Sequence, residues 1–231
     1  MLDLDPAFEA LKTFDYGMDR HVLDSIDGAA VTTRNDPAAR KDLESRLVAV
    51  LPSTAPHDAK DFVCRVLRIV GTADAVPALE ALLADADISH MARYALERIP
   101  DPKAGQALER QLRAVSGPLK IGIIGSLGTR GEGVSSLRPL LLDPDEAVAR
   151  AAAIALGHIG SADASKALSA TKPTPALAAI FANASLECGE KLLKAGHAKE
   201  AKAAYQALLR GTPSPIVRAA AERGLKASEP A

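Results

Sequence analysis

Three side chains in this sequence have the types and the spacing to hold a metal ion: His57, Asp61 and Cys64. Intervals of four and three residues place them on one face of a helix that begins near Pro56. A structural zinc site closes its coordination sphere with protein ligands, and no CxxC or HExxH pattern supplies the rest. His57 also stands where a helix starts, and Cys64 falls in core register. The expectation is no metal and no cofactor.

Other chemistry is sparser still. Gly122, Gly125, Gly128, Gly131 and Gly133 form a glycine-rich run. A phosphate cradle needs a preceding strand, and a Walker loop ends in Gly-Lys-Ser/Thr; neither stands here. Gly122 and Gly125 are expected to permit close helix packing, with the others in a looser turn. Nucleophilic catalysis needs a base aligned with Ser or Cys, and no such pairing forms a motif. Cys64 and Cys188, the two cysteines, lie in apolar helical stretches and read as buried thiols. Ser89-His90-Met91-Ala92-Arg93-Tyr94 joins a histidine and an arginine to one of few aromatics, but packing and helix-start roles account for it. The expectation is a chain that is not an enzyme.

Composition narrows the partner class. With 28 Lys and Arg against 29 Asp and Glu, there is no cation excess to neutralise a phosphate backbone. Aromatics make up 3% and tryptophan is absent, so stacking platforms for bases are scarce. No apolar run is long enough to span a bilayer. Met1 to Pro6 has neither a basic nor an apolar leader region. A soluble chain follows, cytoplasmic by default, with a periplasmic or secreted origin open if a signal peptide had been removed.

These side chains must be positioned by helices, and the helices repeat. Leu67-Arg68-Ile69-Val70-Gly71, Leu96-Glu97-Arg98-Ile99-Pro100, Ile124-Gly125-Ser126-Leu127-Gly128 and Leu156-Gly157-His158-Ile159-Gly160 align as helix ends followed by turns. A leucine follows each turn in register: Leu79, Leu108, Leu137 and Leu168. Upstream, Phe62, Val66, Leu67 and Val70 fall at helical spacing, as do Met91, Ala95, Leu96 and Ile99. Asp143-Pro144-Asp145 signals a helix start. Gly71, Gly128 and Gly160 suit a left-handed helix-ending position. Short helices of this kind cannot bury their apolar faces alone, so hairpins must stack side by side. The expected fold is all-α, a right-handed α-solenoid of helical hairpins. Three helices are expected before the repeats (5–14, 20–31, 37–51) and three after (175–194, 198–209, 214–225). The organisation reads as N-terminal capping helices (1–55), repeats (56–173), a C-terminal pair with a capping helix (174–226) and a disordered tail (227–231).

The run Glu146 to Gly160, with Asp163, Ala164 and Leu168, resembles the short HEAT repeats grouped with those of phycobilisome lyases, although Arg150 is displaced by one residue. Residues 182–213 resemble one tetratricopeptide unit through Gly189, Leu192, Gly196, Ala201, Tyr205, Leu208 and Pro213. Ser185 and Cys188 replace that family's tryptophan and leucine. Some HEAT-like enzymes hold two irons with His-Glu pairs, but His21, His57, His90, His158 and His197 are followed by Val, Asp, Met, Ile and Ala. HEAT-like DNA glycosylases display cationic and aromatic residues that this chain lacks. The resemblance implies a scaffold that binds a protein or peptide on the concave face, lined by the second helix of each pair. Outward positions there include Glu80, Gln106, Glu109, Arg110, Arg113, Arg138 and Lys166, with Pro77 and Ser135 beside them. Lys191, Lys194, Lys199 and Lys202 read as a solvated face. Two alternatives are an accessory component of an enzyme system, such as chromophore attachment by a lyase, and a structural spacer.

Overall fold

The computed structural model describes residues 3–229. Among these there are fourteen α-helices and no strand. They are α1 (Asp5–Leu11), α2 (Asp24–Thr32), α3 (Pro37–Val50), α4 (His57–Val70), α5 (Val76–Ala81), α6 (Ser89–Leu96) and α7 (Pro102–Leu112). Then come α8 (Gly117–Arg130), α9 (Val134–Leu137), α10 (Glu146–Ile159), α11 (Ala162–Ala170), α12 (Ala178–Lys194), α13 (Ala198–Arg210) and α14 (Pro215–Ala227). The chain forms two compact units, 1–115 and 116–231. The division falls inside the stretch that the spacing of the turns treats as one continuous array. Among the described residues the fold is all-α, with helices packed against one another within each unit.

In the first unit α4 packs along α6, α5 packs along α7 and against α6, and α6 meets α7. The core is built from large side chains: Phe14, Phe62, Leu67, Leu79, Leu96 and Leu108 are all buried. The Phe14 and Phe62 rings lie 6.4 Å apart, and Tyr16 meets Phe14 edge-on at 5.6 Å. The segment before α2 is strapped to α4 by polar contacts. Tyr16 donates its backbone N–H to Asp58 (2.9 Å) and its hydroxyl to Asp61 (2.5 Å), while Arg65 Nε donates to the same Asp61 oxygen (3.1 Å). Asp61 is buried, and these two donors are what make its burial tolerable. Glu44 is also buried. It accepts from the Thr72 backbone N–H (2.6 Å) and from the Thr72 hydroxyl, which closes the turn after α4.

In the second unit α8, α10 and α12 lie side by side, and α10 is flanked by both of the others. Here small residues set the spacing. A Cβ on Gly157 would meet the Ala184 backbone at 2.8 Å, and one on Gly128 would meet Ala155 at 3.0 Å. The helices therefore approach more closely than any side chain at these positions would allow. Three helix starts are capped by side chains, the first at the signal read in the sequence: Asp145 accepts from Ala147 N, Ser161 from Ala164 N and Ser214 from Val217 N.

Several local expectations are corrected. Of the three glycines expected to end helices in the left-handed region, only Gly160 does so, at φ 64°. Gly71 is extended at φ −62°, because Thr72 must turn toward Glu44. Gly128 lies inside α8, where its missing Cβ admits Ala155; the turn falls three residues later, at Gly131 (φ 75°) and Gly133 (φ 81°). Gly125 is exposed with nothing within 4 Å, so it takes no part in close packing. The flanking helices fall close to their expected spans, α2 and α12 starting later. In the supposed tail, Ala227 closes α14 and Ser228 is buried, its hydroxyl donating to Leu225 O at 2.6 Å. Residues 230–231 lie outside the described residues.

Candidate functional site

The seven residues expected on a partner-binding face are divided between the units. In the first, Glu80 of α5 and Arg110 of α7, one repeat apart, are already engaged with each other. Arg110 donates to both carboxylate oxygens of Glu80, at 2.8 and 2.6 Å. The bidentate carboxylate holds the guanidinium pKa above its usual value. Gln106 is exposed on the same helix as Arg110, Arg113 is exposed just past its end, and Glu109 is half-buried. In the second unit Arg138 is exposed at the start of a 3₁₀ turn. Lys166 of α11 pairs with Asp163 at 3.1 Å.

What the helical register does not reveal is a cleft in the second unit. Three prolines line its edge: Pro173 and Pro175 between α11 and α12, and Pro213 before α14. Proline cannot continue a preceding helix, so α11 and α12 are joined by an irregular stretch at 171–174 followed by a turn at 175–177. Helices α11, α12, α13 and α14 surround a cavity of about 770 Å³. Leu168, Phe181, Leu208 and Val217 form its buried apolar floor. Ser165, Asn183, Ser185 and Thr212 add polar side chains to its walls. Lys172 is the single charged residue among those lining it. Helix α12 opens onto the cleft with Ala178 and Ala179, and its N-terminus has neither a side-chain cap nor an acidic residue in the first turn. The expected boundary between 173 and 174 thus runs through the middle of this site. The sequence signal was Lys172-Pro173-Thr174-Pro175, a stretch too extended to be a tight helix-to-helix turn.

A smaller cavity of about 400 Å³ lies against Tyr205, between the end of α12 and α14, with Glu190, Lys194 and Arg223 at its edge. The Tyr205 ring sits under Gly189 and Gly224, either of whose Cβ atoms would collide with it at 2.7 and 2.3 Å.

The residues singled out for chemistry are not brought together. His57 Nδ1 lies 3.1 Å from Asp58 and its Nε2 lies 3.1 Å from Asp87 O. The Asp58 carboxylate and that carbonyl raise the imidazole pKa. Asp61 is taken by Tyr16 and Arg65, and Cys64 is fully buried. Among the described residues no group of His, Cys, Asp and Glu is arranged to hold a metal. Burial pushes the Cys64 thiol up to about 12 and the Cys188 thiol up to about 11, so neither is a thiolate nucleophile at neutral pH. In the Ser89–Tyr94 segment, Ser89 bonds to Leu83 O, and Tyr94 lies under the Arg68 guanidinium at 4.3 Å. Among the described residues no helix is long and apolar enough to cross a membrane.

No protein-family model matches the sequence, and no curated protein matches it. Among solved structures, the chain is similar to the complex of CpcE and CpcF of phycocyanin lyase from Nostoc sp. PCC7120. That match has 18% identity, covers 99% of this chain and 96% of the other, and has a TM-score of 0.44. It is also similar to human deoxyhypusine hydroxylase in complex with glycerol, at 15% identity, 97% and 95% coverage and a TM-score of 0.35. Phycocyanin lyase and deoxyhypusine hydroxylase are enzymes, so the expectation that this chain is not an enzyme is withdrawn. The inference from missing motifs fails for a physical reason: in an all-helical array, catalytic groups can be gathered from separate hairpins without leaving a local signature. At these identities and TM-scores neither structure assigns an activity or ligand to this chain.

Proposed function

We propose that this chain is a protein-binding repeat protein that holds an extended segment of a partner in the cleft of its second unit. The observation that carries the reading is the cleft itself, with an apolar floor for side chains and Ser, Thr and Asn side chains on its walls for a backbone. A partner strand with unsatisfied N–H and C=O groups needs such partners wherever it leaves water. Exposed Ile216, 83% accessible beside the rim at the start of α14, adds apolar surface next to it. The pair α12–α13 is also where the sequence resembles a tetratricopeptide unit, which favours a surface shaped for a peptide. The outward face of α5 and α7 in the first unit, with Gln106 and Arg113, is a second contact region on this proposal.

The test is selection of random peptides displayed on phage against the purified chain, repeated with Ala179→Trp and Ala207→Trp, which fill the cleft from two walls. The expected outcome is a set of peptides whose binding is lost in both variants while circular dichroism is unchanged. Peptides that bind the variants equally well, or no enrichment at all, would discard the cleft. A role as a component of an enzyme system is the second reading, because a cavity of about 770 Å³ is also large enough for a small ligand. It predicts a stoichiometric coloured or otherwise detectable ligand in the absorption and mass spectra of the purified protein.

A further inference from the structure

We infer that the segment taken up by the second-unit cleft is acidic, with a carboxylate seated between Lys172 and the open N-terminus of α12. This rests on the cleft reading above and specifies its ligand.

Three independent features of the cleft agree in sign. No Asp or Glu is among its lining residues, and Lys172 is exposed there without an ion-pair partner. Helix α12 presents its N-terminal end to the cleft through Ala178 and Ala179. That end carries the positive pole of seventeen aligned peptide units, with no side chain capping it. The field of the surrounding unit has the same sign: residues 116–231 contain 14 Lys and Arg against 10 Asp and Glu. A neutral or cationic segment would leave the Lys172 ammonium without a counter-charge on docking, whereas a carboxylate supplies one and also suits the positive end of α12. The nearby cation Lys166 is already taken by Asp163, so Lys172 is the residue on which charge recognition turns.

The experiment uses the full chain and the peptides recovered in the selection above. Each is resynthesised with a fluorophore, once as selected and once with every Asp and Glu replaced by Asn and Gln. Binding is followed by anisotropy at low and high salt. The expected result is that the amide versions bind about tenfold more weakly or worse, and that Lys172→Glu weakens the acidic versions by at least as much. Lys172→Gln falls between, and the advantage of the acidic peptides shrinks as salt rises. Amide and acidic versions binding alike, or indifference to Lys172→Glu, would overturn the charge assignment and leave the cleft standing. Binding unaffected by Ala179→Trp would remove the cleft and this inference with it.

Discussion

The two units build the same kind of helical hairpin from opposite materials. In the first, residues 1–115 hold 19 acidic against 14 basic side chains, and the helices are kept apart by Phe62, Leu67 and Leu96. In the second, the surplus is basic, and α8, α10 and α12 close onto one another through Gly128, Gly157, Ala155 and Ala184. Large apolar residues give a unit stability by filling volume. Small ones give it by letting backbones touch, and they leave the side-chain space to be spent elsewhere. It is the unit of small residues that contains both of the cavities described above.

The comparison predicts that each unit is broken by the opposite kind of substitution. Phe62→Ala should have the largest effect, a loss of about 3–5 kcal/mol, because nothing in a core of Leu and Phe is placed to collapse into the space. Hydrogen exchange should show it as lost protection in α4 and its neighbours. Gly157→Ala adds one methyl where the Ala184 backbone already stands at 2.8 Å, and should cost about 1–3 kcal/mol in chemical denaturation. Equal tolerance of both changes would mean that the units are packed alike after all.

Smaller effects sharpen the contrast. Asp36 caps α3 in the first unit with two backbone N–H groups, whereas Asp145 caps α10 in the second with one. Replacing either by Ala should cost about 1 kcal/mol, the Asp36 change being the larger by thermal melting. Smallest is an alkaline effect confined to the first unit. Burial and the hydrogen bond to Asp61 push the Tyr16 hydroxyl from its usual 10 up to about 12. The folded state thus favours the neutral phenol, and the stability this brings is complete below pH 10 and lost as the pH rises toward 12. Tyr16→Phe should flatten the fall in stability across that window. An unchanged slope would show that Tyr16 ionises as a free phenol.

Much of the fold was legible because helices write themselves into sequence by period and by punctuation. Phe62, Val66, Leu67 and Val70 announced α4, and all four are buried. Asp145 announced the start of α10. The errors cluster where one residue type serves two purposes. Glycine ends a helix at Gly160 but permits contact at Gly128, and nothing local distinguishes the two; only Ala155, in another helix, decides. The pairing within the expected face was hidden for another reason. Arg110 is exposed but Glu80 keeps only 19% of its side-chain exposure, and the two, one repeat apart in sequence, find each other. The cleft was invisible because its walls come from four helices and a stretch that sequence treats only as a boundary.

One more detail governs how such an array can change in length. The carbonyls at the ends of two helices are closed by side chains from other helices: Arg40 of α3 donates to Val70 O of α4, and Lys191 of α12 donates to His158 O of α10. A hairpin is therefore finished by something outside itself. Excising one unit by recombination would strip a neighbour of its stopper as well, so viable gains and losses should come in blocks that carry donor and acceptor together.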